Sequence, residues 1–169
     1  METSRQDHIA GIVAQWVAER PELDASPLLV IGRIAWLAER FDQALRPPFA
    51  AAGLSNGDFD VLAALRRVGA PYAMRHRDLC AATLVTPGAV TKRVDRMVTQ
   101  GYVERQTDST DARGQHVRLT AAGVRLVDRM IAVHLDNESR LLAGLSAPDR
   151  ERLAQLLERL AVSVEAEGQ

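Results

Sequence analysis

Much that would mark a secreted protein, a membrane protein or an enzyme is missing from this 169-residue chain. Cys80 is the single cysteine, which excludes an intrachain disulfide and a cysteine metal cluster. It sits among apolar residues in DLCAATL and reads as a small buried hydrophobe. No apolar run approaches the ~18–20 residues of a membrane span. The start, METSRQDHIA, lacks the basic and apolar regions of a signal peptide, so a cytosolic location and no membrane partner are expected. Aromatic residues are only 4% of the chain, so Leu, Val and Ala must fill the core. G-x-S-x-G, P-loop and Rossmann glycine patterns are absent, and the four histidines form no metal-spaced pair. The expectation is no catalytic residues, no metal and no cofactor.

Net charge is also lacking, at −1, but that value hides an asymmetry. Residues 66–118 hold ten Lys/Arg against five Asp/Glu, whereas the rest holds eleven against seventeen. A basic middle between acidic flanks suggests a segment that meets an anion, with nucleic acid the leading candidate.

The pattern along the chain is mostly helical. Ile9, Ile12, Val13, Trp16 and Val17 have helical spacing within residues 5–19, and Pro21 closes that run. A second helix is expected over about 27–46, ended by Pro47-Pro48. Ser55 and Asp58 form a capping box for a third. A short helix follows over about 75–83, and Thr86-Pro87 starts another that runs to Gly101. YVERQ and HVRLT then alternate like strands around the tip TDSTDARGQ, giving a two-stranded hairpin. Thr120 opens a long helix, and Ser146 with Asp149 caps a last one bearing Leu153, Leu156, Leu157, Leu160 and Val164 on one stripe. Terminal helices with such apolar surfaces argue for dimerisation.

Helix, turn, helix and charged hairpin in this order make a winged helix. The fold class expected is therefore mainly α: a winged helix–turn–helix with a two-stranded wing and N- and C-terminal dimerisation helices. Its parts are N-terminal helices over 1–48, the DNA-binding domain over 49–119 and C-terminal helices over 120–169. At 100° per residue, Val90, Val94, Met97 and Val98 fall within an arc of about 100° on the second helix of the motif and form its buried face. Lys92 and Arg96 lie nearly opposite, near Gly88 and Ala89. Small residues let a backbone approach a major groove, and longer ones reach base edges or phosphates. Thr86, Gly88, Ala89, Thr91, Lys92 and Arg96 are the residues expected to meet double-stranded DNA. Asp111 can steady Arg113 at the wing tip, where the arginine reaches a minor groove or a phosphate.

LSNGDFDVLAALRR (54–67) and TPGAVTKRVDRMVTQGYVERQTDSTDARGQHVRLTAAG (86–123) resemble the MarR family of winged-helix regulators, with its D-x-R-G wing as Asp111-Ala112-Arg113-Gly114. The resemblance implies a homodimer on pseudo-palindromic DNA that represses a neighbouring gene and lets go when a small ligand binds.

Two charged positions fit DNA contact poorly. Arg93 lies about 85° from the centre of the buried face and leans toward the protein body. Asp60 stands beyond the capping box, flanked by Phe59 and Val61. Either they brace helix against strand, or they hold a small aromatic anion, which arginine pairs bidentately. The N-terminal helix with its Trp, FDVLAALRR-x-GAPY and TPGAVTKRVDR are similar to the urate-responsive, PecS-type branch of the family. That branch's purine signature of Trp, Asp, Arg and Arg falls on Trp16, Asp60, Arg93 and Arg105. The implied mechanism has Asp60 paired with Arg105 until urate or xanthine binds Arg93 and repels Asp60. The same arginines would also suit a phenolic or other aromatic carboxylate.

Overall fold

Local capping signals set most element boundaries. The computed structural model describes residues 7–83, 87–107 and 115–167. By its internal contacts the chain divides into two units, residues 1–46 and 47–169.

The first unit holds α1 (His8–Glu19) and most of α2 (Pro27–Ala51). Asp7 caps α1 by accepting from the backbone N–H groups of Ile9 and Ala10, and its other oxygen pairs with Arg33. No residue of α1 is buried, and Trp16, Ile31 and Trp36 are substantially exposed.

Helix α2 corrects one expectation. It does not stop at Pro47-Pro48 but continues to Ala51. Two prolines remove two backbone donors and strain the preceding turn. The extra turn, however, carries Phe49 into the core, where its ring stacks on Phe59 with centroids 4.5 Å apart. The true stop is Gly53, at φ 72°. Its N–H bonds Ala50 O, and the N–H of Leu54 bonds Phe49 O, which is a Schellman cap.

The second unit is built around α3 (Asn56–Arg67). The Ser55–Asp58 capping box forms as expected, and eight of this helix's twelve residues are buried. Next come β1 (Ala73–Arg75), α4 (His76–Ala81), α5 (Pro87–Thr99), β2 (Val103–Thr107), β3 (Gln115–Leu119), α6 (Ala121–Leu141) and α7 (Ala147–Glu167). Strand β1 is a second correction. The sheet has three antiparallel strands in the order β1-β3-β2, with Met74 opposite Val117 and Arg105 opposite Val117 from the other side. Three residues are too few to show a period of two, and β1 exists because β3 offers it a free edge.

Val90, Val94 and Met97 of α5 are fully buried, as their spacing requires, but Val98 is exposed. They meet Leu62 and Leu65 of α3, Leu79 of α4, Val103, Val117 and Leu119 of the sheet, and Leu126, Val127 and Met130 of α6 in one core. Cys80 is half-buried against that core. Arg66 reaches from α3 to Asp128 on α6 at 2.7 Å. Gly101, at φ 74°, ends α5 with a second Schellman cap in which Tyr102 N–H bonds Met97 O. The chain is thereby aimed straight into β2. Among the described residues no helix is long and apolar enough to cross a membrane.

Candidate functional site

Helices α4 and α5 form the two arms of a helix–turn–helix, and α5 presents its first turns outward. Gly88, Thr91 and Lys92 are exposed and Ala89 is half-buried. Thr91 Oγ1 lies 3.2 Å from Nε2 of His76, linking the two helices. Thr86, Asp111 and Arg113 lie outside the described residues.

Three charged groups on α5 turn inward or sideways. Arg96, expected beside Lys92 on the open side, swings to the N-terminus of α3. Its Nη2 bonds Asp58 Oδ2 and also Ser55 Oγ at 3.2 Å. Asp58 is fully buried. Burial works against its ionisation, but the Arg96 guanidinium and the Ser55 donors outweigh that and hold its carboxyl below the usual carboxylate range. The guanidinium of Arg93 lies against Gly57, where any Cβ would overlap it. Its Nη1 is buried and has no hydrogen-bond partner among the described residues. Asp95 pairs with Arg105 on β2 at 2.6 Å, in the open.

Asp60 faces a different neighbourhood from Asp58, although both are on α3. Burial raises its carboxyl above the usual range, while electrostatic attraction from Arg93, His134 and Arg67 resists that shift. His134, on α6, is set against the rings of Phe49 and Phe59, at 5.3 and 5.1 Å between centroids. Its Nε2 is 3.1 Å from Glu138, and its Nδ1 is buried without a partner among the described residues. The half-buried Asp60 carboxyl thus feels charge from α5 and α6, and each of those helices also carries a buried side-chain nitrogen without a partner among the described residues.

A profile of the MarR family matches residues 52–114. The transcriptional regulator PecS of Dickeya dadantii is 36% identical over 157 residues, which are 93% of this chain and 95% of PecS. The chain belongs to the MarR family of transcriptional regulators, in its PecS-type branch. A cysteine-to-serine mutant of E. coli MarR in complex with operator DNA superposes with a TM-score of 0.70 at 26% identity, covering 82% of this chain and 99% of that one. AbsC of Streptomyces coelicolor shares the fold, with a TM-score of 0.77 at 21% identity, over 85% of this chain and 97% of its own. The regulator is a DNA-binding protein of winged helix–turn–helix fold, and its relatives are regulators rather than enzymes.

Of the residues expected to hold a ligand, the three in the second unit do not form one group. Asp60 and Arg93 act on each other. Arg105 stands apart from them: the expected Asp60–Arg105 pair is not formed among the described residues, because Arg105 is taken by Asp95. Alternation places Arg105 with Val103 but cannot choose its partner, and Asp95, in α5, is the nearer carboxylate. Trp16 belongs to the N-terminal unit and is half-exposed there. Sequence reasoning does not find His134 or Arg67. The signal for Arg67 is its position seven residues after Asp60, two turns along the same helix. His134 gives no signal, since a lone histidine on an amphipathic helix has no spacing to read.

Proposed function

We propose that this regulator is a repressor that binds pseudo-palindromic DNA as a homodimer and releases it when a planar, anionic purine such as urate or xanthine binds. The observation that carries the effector reading is the buried Arg93 Nη1, which has no partner among the described residues, on a guanidinium whose charge acts on the half-buried Asp60. An arginine donor held out of water with nothing to bond is costly, and a carboxylate-like or imide edge would satisfy it. Arg67 and His134 add to the electrostatic influence on the same carboxyl. Arg93 is part of α5, so a ligand that draws its guanidinium off Gly57 pulls on the reading helix itself. The anion also brings negative charge toward Asp60. A ligand shifts the balance only by its differential affinity for the two states, so release is graded.

The DNA side follows from α5 and the wing. Gly88, Ala89, Thr91 and Lys92, together with Thr86, face the major groove, and Asp111 steadies Arg113 in the flanking minor groove. Arg96 takes part through the contact it makes with Asp58. The exposed leucines of α7 and the exposed apolar residues of α1 and α2 support pairing with a second copy. Trp16 would contribute a ring for stacking.

The test is a titration with urate, xanthine and a phenolic carboxylate, read by melting temperature and by gel shift on the DNA upstream of the regulator's own gene. Purines should raise the melting temperature and loosen the complex. Arg93→Ala should keep DNA binding and lose the response. A response to the phenolic acid alone, or no stabilisation by either purine at millimolar concentration, overturns the purine reading.

A further inference from the structure

Helix α5 is anchored to its surroundings by two kinds of contact. Val90, Val94 and Met97 bury its apolar face. That contact is non-directional and tolerates small rotations and slides. Directional contacts come from charge. On one side Asp95 holds Arg105 of β2, with the two side chains 56% and 36% exposed. On the other, Arg96, itself 49% exposed, holds Asp58, whose side chain is 1% exposed. An exposed pair is screened and weak, whereas a hydrogen-bonded carboxylate buried from water binds its countercharge strongly and in one geometry.

Asp58 is the charged side chain that is fully buried among the described residues. Its Oδ2 already accepts from Ser55 N–H and Ser55 Oγ, both at 2.8 Å, so its place is dictated by the cap of α3. Asp58 Oδ1 is buried without a partner among the described residues, so Arg96 is the only full countercharge there in contact with this carboxylate. Arg96 therefore registers α5 against a point that α3 cannot move. Gly57 beside it leaves room for α5 to come this close, since a side chain there would strike Arg93.

The geometry points to Arg96 as a positioning residue for DNA reading, acting through the Ser55–Asp58 capping box rather than by touching DNA itself. The capping box of α3 thus also sets the angle at which Gly88 to Lys92 enter the groove. This rests on α5 being the helix that reads DNA. Base contacts need placement within a fraction of an ångström, whereas phosphate attraction does not. A mispositioned α5 should lose sequence preference before it loses affinity.

The experiment uses the full-length protein and two duplexes: one recovered by selection from a random pool with the wild-type protein, and one of random sequence. If no preferred duplex emerges, the reading of α5 fails, independently of Arg96. Given one, Arg96→Ala should lower affinity for the selected duplex at least about 10-fold, while affinity for the random duplex and its salt dependence stay near wild type. Arg96→Lys should recover part of the preference. In the DNA-free protein, Arg96→Ala should speed amide exchange across residues 88–99 and leave 124–131 unchanged. Asp58→Asn should mimic Arg96→Ala, and the double variant should add little. Equal loss on both duplexes with the salt slope reduced by about one would mean a direct phosphate contact. Unchanged exchange in the free protein would mean that Arg96 acts only on DNA. Either result overturns the proposal.

Discussion

Helices α3 and α7 solve the same problem in opposite ways. Both carry apolar stripes and both begin with a serine–aspartate cap. Helix α3 buries eight of its twelve residues within its own chain, while α7 buries none of its twenty-one. Leu153, Leu156 and Leu157 stay 40–44% exposed. An apolar stripe alone therefore does not say where a helix packs. It states a demand, and only the surrounding elements show whether the same chain meets it. Around α3 they do, with α6 closing the core of the winged domain. Around α7 they do not among the described residues, and the proposed second copy of the chain would supply the cover.

The largest way to break this contrast is at its centre. Leu62→Ala should lower stability by about 2–5 kcal/mol, because a fully buried leucine leaves a cavity that its rigid neighbours cannot close. Urea denaturation followed by circular dichroism measures this directly. The matching change on α7, Leu156→Asp with Leu157→Asp, should spare the winged core but convert the dimer to monomer in sedimentation experiments and cut operator affinity at least about 10-fold, since each half-site is then bound alone. A dimer of unchanged mass would place the interface elsewhere.

A finer comparison lies within α3, between Asp58 and Asp60. The Asp58 carboxyl is held low, so its contribution is present above the ordinary carboxylate pKa and is lost as pH falls through the lowered folded value. The Asp60 carboxyl is raised by burial, so the folded state prefers it protonated. Its ionisation weakens the fold as pH rises from the ordinary carboxylate value through the raised one. Asp60→Asn should therefore flatten that part of the stability profile and leave the protein slightly more stable at neutral pH, while Asp58→Asn removes the acid-side loss. Melting temperatures taken across the acidic range separate the two. A variant of Asp60 with an unchanged profile would mean that Arg93, His134 and Arg67 already cancel the effect of burial.

The smallest expected effect is at Arg140. Its pair with Asp136, at 2.9 Å, has both side chains about two-thirds exposed. Arg140→Ala should change stability by less than about 0.5 kcal/mol. A larger loss, measured at dimer-forming concentration, would show that the end of α6 is covered by the second copy and would sharpen the map of the interface.

Much of the fold is legible from residues close together in sequence. Ser55 with Asp58, Gly101, and Thr120, whose hydroxyl accepts from Gly123 N–H, announce helix ends because capping acts over three or four residues. Val90, Val94 and Met97 announce a buried face because helical geometry alone brings them together. The candidate site is less legible. Asp60 and Arg93 stand out because neither capping nor DNA contact explains them, yet the partner expected for Asp60 is not the one it has. Arg105 turns to Asp95, and the charge that Asp60 feels comes instead from Arg93, His134 and Arg67.

What the sequence alone determined, then, is where helices start and stop and which of their faces are apolar, since those depend on backbone groups a few residues apart. The tertiary structure decided the rest. Strand β1 forms because β3 has an edge to pair, and α2 passes two prolines because Phe49 reaches a core made by other helices. Arg96 binds Asp58 across a separation of 38 residues. A charge takes its partner by distance and burial, and these are settled only when the helices have packed.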